Sequence, residues 1–68
     1  MNEFQKYVFD GLNETKLTQR ELAKQSSTTE VTISRIMSGD VKKPSNKVSF
    51  NIQYALVNND FKWFEKEV

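Results

Sequence analysis

The sequence predicts an all-α fold, five short helices in one domain spanning residues 1–68. Three observations carry that expectation. Apolar residues recur at three- and four-residue spacing along most of the chain, the period of a helix with one buried face. Hydroxyl-bearing residues and breaks rich in Gly or Asn punctuate those stretches at the places where helices start and stop. No alternating apolar–polar run is long enough to make a strand, apart from a short segment near the C-terminus.

Helix one is expected from about Asn2 to Leu12. Phe4, Val8 and Leu12 fall at i, i+4 and i+8 with Phe9 beside them, so one face is apolar. Gly11, near its end, and the polar Asn13, Glu14, Thr15 and Lys16 break the helix and make a short connection. Helix two runs from Gln19 to Gln25 behind a T-x-x-E capping box. In that box the Thr18 hydroxyl accepts from the Glu21 amide while the Glu21 carboxylate reaches back. Leu22 and Ala23 are its apolar pair, and Ala23 supplies the methyl-sized contact that two steeply crossing helices need.

Helix three spans Glu30 to Met37, with Ile33 and Ile36 three apart on one face. Ser38, Gly39 and Asp40 close it, Gly39 serving as the left-handed cap. Val41 to Pro44 is loop, because Pro44 donates no amide and biases Lys43 away from helix. Ser45 is the N-cap of helix four, whose Val48, Ile52, Ala55 and Leu56 point inward. Asn58, Asn59 and Asp60 break the pattern before a final short helix, in which Phe61, Phe64 and Val68 align beside Trp63. An edge strand over Phe61, Lys62 and Trp63 is the alternative there.

Composition narrows the chemistry. The chain has neither Cys nor His, so disulfides, the common zinc sites and Ser-His or Cys-His catalysis lack their parts. Glu65 and Glu67, two apart, point in different directions on a helix and make no acid–base pair. The expectation is no enzyme, no cofactor, no metal and no evident small-molecule ligand. No apolar run approaches the ~20 residues that span a bilayer, and the first residues lack a signal-peptide core. A cytoplasmic protein with no membrane partner is therefore expected, and the Asn13-Glu14-Thr15 glycosylation acceptor carries no meaning. A core this small gives a slender margin over chain entropy, so self-association or unusually good packing is expected.

Net charge is only +1, but it is unevenly spread. Residues 1–15 hold one base against three acids, net −2. Residues 16–47 hold Lys16, Arg20, Lys24, Arg35, Lys42, Lys43 and Lys47 against Glu21, Glu30 and Asp40, net +4. Residues 48–68 sum to −1. Positive charge gathers on the two central helices and the loop after them, the footprint of a surface that meets phosphates.

From Thr18 to Leu56 the chain resembles the helix-turn-helix of phage Cro and repressor proteins, part of the wider Xre-like group of bacterial regulators. The residues that carry the resemblance are Leu17-Thr18-Gln19, Glu21-Leu22-Ala23, Thr28-Thr29, and Thr32-Ile33-Ser34-Arg35-Ile36 followed by Gly39, then Lys42-Lys43-Pro44 and the next helix. The turn departs from the pattern: Ser27 stands where Gly is usual, and Ser26 and Thr28 stand where apolar residues are common. A left-handed Ser27 costs about 1 kcal/mol.

The resemblance implies a compact lambda-repressor-like domain whose third helix enters the major groove of double-stranded DNA. The N-terminal half of such a helix meets base edges, which selects Thr29, Glu30, Val31, Thr32 and Arg35. Arg35 suits guanine, and such a bidentate pair discriminates by about 1–3 kcal/mol; its alternative is an ion pair with Glu30 or Asp40. Glu30 either accepts from cytosine N4 or only favours the helix N-terminus. Val31 meets a thymine methyl or packs at the edge of the core. Thr32 serves base or backbone.

Backbone contacts are expected from Thr18 and Gln19 at the start of helix two, from Ser38 and Ser45, and from Lys42, Lys43 and Lys47. If each of those three lysines neutralises one phosphate in each of two protomers, the log–log salt slope is about −5. Binding as a homodimer to a palindromic operator is the expected mode, with recognition helices about 34–36 Å apart. The dimer surface is expected at Phe61, Trp63 and Phe64; the alternative is that they complete the monomer core, Phe61 and Phe64 above all, which leaves Trp63 as the interface anchor. The function so implied is a Cro-like repressor, of phage or chromosomal origin. The alternative is a protein-interaction module, such as an antitoxin-like or anti-repressor subunit.

Overall fold

The computed structural model describes residues 2–61, and those residues form four helices and no strand. They are α1 (Glu3–Thr15), α2 (Gln19–Gln25), α3 (Glu30–Ser38) and α4 (Asn46–Asn58). The all-α expectation holds for them. The expected fifth helix lies outside the described residues, except for Phe61. No helix among the described residues is long and apolar enough to cross a membrane.

Each helix begins as its sequence prescribes. Asn2 caps α1 reciprocally with Gln5: Asn2 Oδ1 accepts from the Gln5 amide at 2.7 Å, and Gln5 Oε1 accepts from the Asn2 amide at 3.1 Å. Thr18 and Glu21 make the same box for α2 at 3.0 and 2.9 Å. Thr29 Oγ1 accepts from the Thr32 amide at the start of α3, and Ser45 Oγ from the Val48 amide at the start of α4. These caps supply partners for amides that the first helical turn leaves unpaired.

The helix ends share one device. All four are closed by a residue with positive φ: Lys16, Ser27, Gly39 and Asp60, of which only Gly39 is a glycine. After α2, the Thr28 amide donates to the Ala23 carbonyl and the Ser27 amide to Lys24. After α4, the Phe61 amide donates to Leu56 and the Asp60 amide to Val57. Both are Schellman closures, and in the second Phe61 and Leu56 make the apolar contact that usually accompanies the motif.

The core joins all four helices. Val8 comes from α1, Leu22 and Ala23 from α2, Ile33 and Ile36 from α3, and Ile52, Ala55 and Leu56 from α4, with Phe61 behind them. α3 packs on α2 and α1, and α4 packs on the same two helices. Two polar ties fix the frame. Gln5 Nε2 donates to the Met37 carbonyl at 2.7 Å, joining the start of α1 to the end of α3. Asn59 Nδ2 donates to Gln25 Oε1 and to the Ala55 carbonyl, each at 2.7 Å, joining the ends of α2 and α4.

Three expectations need correction. α1 continues through Thr15 rather than stopping at Leu12, because its last turn is a polar surface turn. Thr15 Oγ1 donates to the Gly11 carbonyl there, and Lys16 makes the left-handed stop. Gly11 is a buried contact within α1 and not a breaker: a Cβ on it would lie 2.7 Å from Leu56 Cδ1, so the missing side chain lets α1 approach α4. Phe9 is 43% exposed and does not join the apolar face. Tyr7 takes that role, its ring 6.0 Å from Phe4 and 5.3 Å from Phe61. Burial pushes the Tyr7 phenol pKa above its ordinary value.

Candidate nucleic-acid interface

α3 divides sharply by face. Ile33 and Ile36 have no exposure at all, whereas Val31 is 60% exposed and Glu30, Ser34 and Arg35 are also exposed. The division follows from the 3.6-residue period: Ile33 and Ile36 take the inward stripe, and the residues between them turn out. Val31 therefore does not pack in the core. Arg35 is exposed and makes no ion pair with Glu30 or Asp40. Thr29 and Thr32 lie one turn apart with their hydroxyls 3.0 Å from each other, which fixes both rotamers at the head of the helix.

The corner between α2 and α3 is polar, yet it is satisfied. Ser26 is 2% exposed; its hydroxyl donates to the Leu22 carbonyl at 2.6 Å and lies 3.1 Å from Thr28 Oγ1. A serine fits where apolar residues are usual because its helix supplies the partner. Ser27 does adopt the left-handed backbone, with φ 58°. Ala23 is buried in the core that α2 shares with the other helices.

The residues expected at the DNA backbone fall into three groups. Thr18 and Gln19 stand at the head of α2, where the Thr18 hydroxyl and the Glu21 carboxylate are engaged in the capping box. Ser38 ends α3; its hydroxyl donates to the Arg35 carbonyl at 3.1 Å and accepts from the Asp40 amide at 3.5 Å. The Val41 amide also donates to the Arg35 carbonyl, at 3.3 Å, so the loop leaves directly from the last turn of α3. Lys42, Lys43, Ser45 and Lys47 follow, all exposed, with Ser45 occupied as the α4 cap. Lys42 and Lys43 also border an open groove whose apolar lining includes Phe4, Tyr7, Val57 and Phe61.

Of the two readings of Phe61, interface or core, the structure takes the core. Phe61 is 1% exposed and packs against Tyr7 and Leu56 within its own chain, because the Schellman closure of α4 turns it inward. It has no surface left to give a partner. Trp63 and Phe64 lie outside the described residues.

Two features escaped the sequence reading. Gln5 both caps α1 and holds the C-terminal end of α3. Its i, i+3 relation to Asn2 was a legible signal for the cap, but the tie to Met37 spans 32 residues and has none. On α4, Phe50, Tyr54 and Val57 form a second apolar stripe, visible in the sequence at i, i+4 and i+7 beside the inward one.

Comparison with known proteins gives no relation to set beside this geometry: no family model, no curated protein and no solved structure matches the chain.

Proposed function

We propose that this chain is a sequence-specific DNA-binding transcriptional regulator of the Cro and repressor type. In this reading α2 and α3 act as a helix-turn-helix, and α3 enters the major groove of double-stranded DNA. The observation that carries the reading is the outward face of α3, where Val31 is 60% exposed and Arg35 is exposed with no ion pair among the described residues, directly opposite two isoleucines with no exposure. A helix of this width fits the major groove, and a guanidinium on it can donate twice to guanine O6 and N7. Thr29, Glu30, Val31 and Thr32 complete the base-reading face. Gln19 and the exposed Lys42, Lys43 and Lys47 supply phosphate contacts that position it. Two protomers on a palindromic operator, acting in the cytoplasm as a repressor, complete the proposal.

Selection of bound duplexes from a random oligonucleotide pool tests it. The expected result is one enriched half-site, repeated as an inverted pair with centres 10–10.5 bp apart or a multiple of that spacing. A pool that shows no enrichment at low salt overturns the reading.

A second reading, a protein-interaction module, draws its support from the uncovered apolar stripe on α4. Under that reading the random pool shows no enrichment, and Arg35→Ala leaves partner binding intact.

A further inference from the structure

The floor of the groove beside the lysine loop has no role in the DNA reading. The groove lies between the first half of α1, the loop after α3 and one side of α4, and it holds about 720 Å³. Small-molecule sites span roughly 300–1,000 Å³, so the space is of that kind. Its lining comes from residues scattered between Asn2 and Phe61, which is why no local sequence pattern announces it.

The floor is aromatic. Phe4, Tyr7 and Phe61 form a run of rings, 6.0 Å apart for the first pair and 5.3 Å for the second. Val57, 54% exposed, adds an aliphatic wall. Aromatic rings gain beyond plain area burial when another ring meets them offset or edge-on. A flat ring therefore suits this floor.

Charge selects the rest of the occupant. The charged residues of the groove are Lys42, Lys43 and Glu3, net +1. Both lysines are exposed, and neither makes an ion pair with Glu3. The neutral polar residues beside them are already engaged. Gln53 Nε2 donates to Ser49 Oγ at 3.3 Å, and Asn2 is held in the α1 capping box. The two ammonium groups are thus the donors an anion would meet, and Glu3 limits the surplus to one negative charge. A single carboxylate meets that demand, whereas a phosphate monoester, with about two charges, exceeds it.

We infer that this groove is a binding site for a small aromatic monocarboxylate. The ligand's ring lies on Phe4, Tyr7 and Phe61 beside Val57, and its carboxylate reaches Lys42 and Lys43. At the ordinary efficiency of drug-sized ligands, a compound of about a dozen heavy atoms binds with a Kd of about 1 mM. The same two lysines are assigned to phosphates above, so a bound carboxylate and DNA compete for them. That consequence rests on the DNA reading, whereas the site does not.

Titration of the full chain with indole-3-acetate, without DNA, reads the site through backbone amide shifts in two-dimensional NMR. Saturable shifts at Phe4, Tyr7, Lys42, Lys43 and Val57 are expected, with a Kd of about 1 mM. Indole-3-acetamide has the same shape and no charge, and should bind about two- to fivefold more weakly. Tryptamine, a cation, should bind more weakly still. Lys42→Gln with Lys43→Gln should bring indole-3-acetate down to the affinity of the amide, while Glu3→Gln should tighten it. These side chains are exposed, so the variants should keep the parent's amide spectrum away from the groove.

No saturable shift at about 10 mM, ten times the expected Kd, overturns the inference. Equal binding of acetate and amide does so too, since charge then selects nothing. Shifts confined to residues outside the groove, Trp63 included, place the ligand elsewhere and also overturn it. A second arm adds an unrelated duplex, whose binding saturating indole-3-acetate should weaken at least twofold. A duplex bound equally with and without the ligand overturns the competition. A chain that binds no duplex at all fails the DNA reading, and the first titration still decides the site.

Discussion

α3 and α4 are built alike and finished differently. Both hold an apolar stripe against α1 and α2, and both turn an opposite face to solvent. On α3 that face is short, hydroxylated or charged: Thr29, Glu30, Val31, Ser34 and Arg35. On α4 it is aromatic and aliphatic, and Lys47 is the helix's only charge. The core fixes the inward residues and leaves the outward ones free to differ, so the outward composition indicates what each helix meets. A face with directional donors suits a partner with directional acceptors, while a face of bare rings suits another apolar surface.

The sharpest way to separate the two faces is Arg35→Ala. On a selected operator we expect a loss of about 1–3 kcal/mol per half-site, some 5- to 150-fold, with self-association unchanged. Titration by gel shift measures it, and unaltered affinity removes Arg35 from the reading face. Ala23→Leu should instead damage both faces together, since Ala23 is 4% exposed in the core that all four helices share. Overpacking there costs about 1–3 kcal/mol, a fall in melting temperature of roughly 4–24 °C that thermal circular dichroism would record.

Lys42→Ala tests the rim of the α3 surface. The log–log salt slope should fall by about 2 for two protomers, about tenfold in affinity between 50 and 200 mM salt, equally for all sequences. An unchanged slope would assign Lys42 to the groove it borders beside α1. Ser27→Gly touches neither face. It relieves a left-handed non-glycine residue and should raise stability by about 1 kcal/mol, visible as a small upward shift in the melting temperature.

The helices were legible where a side chain marks the boundary. Thr18 with Glu21, Ser45 and Gly39 each announce a helix end chemically, and the starts of α2 and α4 and the end of α3 fall within a residue of where those signals put them. The end of α1 carries no such mark. Asn13, Glu14 and Thr15 read as connection because they lack an apolar period, but a helix turn that rests on solvent needs none. Gly11 was misread for a related reason: its purpose is a neighbour 45 residues away, Leu56, which no local pattern reveals. The exposure of the α3 face followed directly from the Ile33 and Ile36 register. Phe61 was read both as core and as interface, and the Schellman turn at Asp60 decided for core.

Gln5 gives the frame a mechanical consequence. One amide group clasps the first turn of α1 and the last turn of α3, a single residue upstream of Ser38 and close to the lysine loop. The first turn of α1 and the last turn of α3 are thereby held to one another just before the chain passes to Lys42 and Lys43. Removing that clasp, as in Gln5→Ala, should let the far end of α3 fray while its head, pinned by Thr29, keeps its shape.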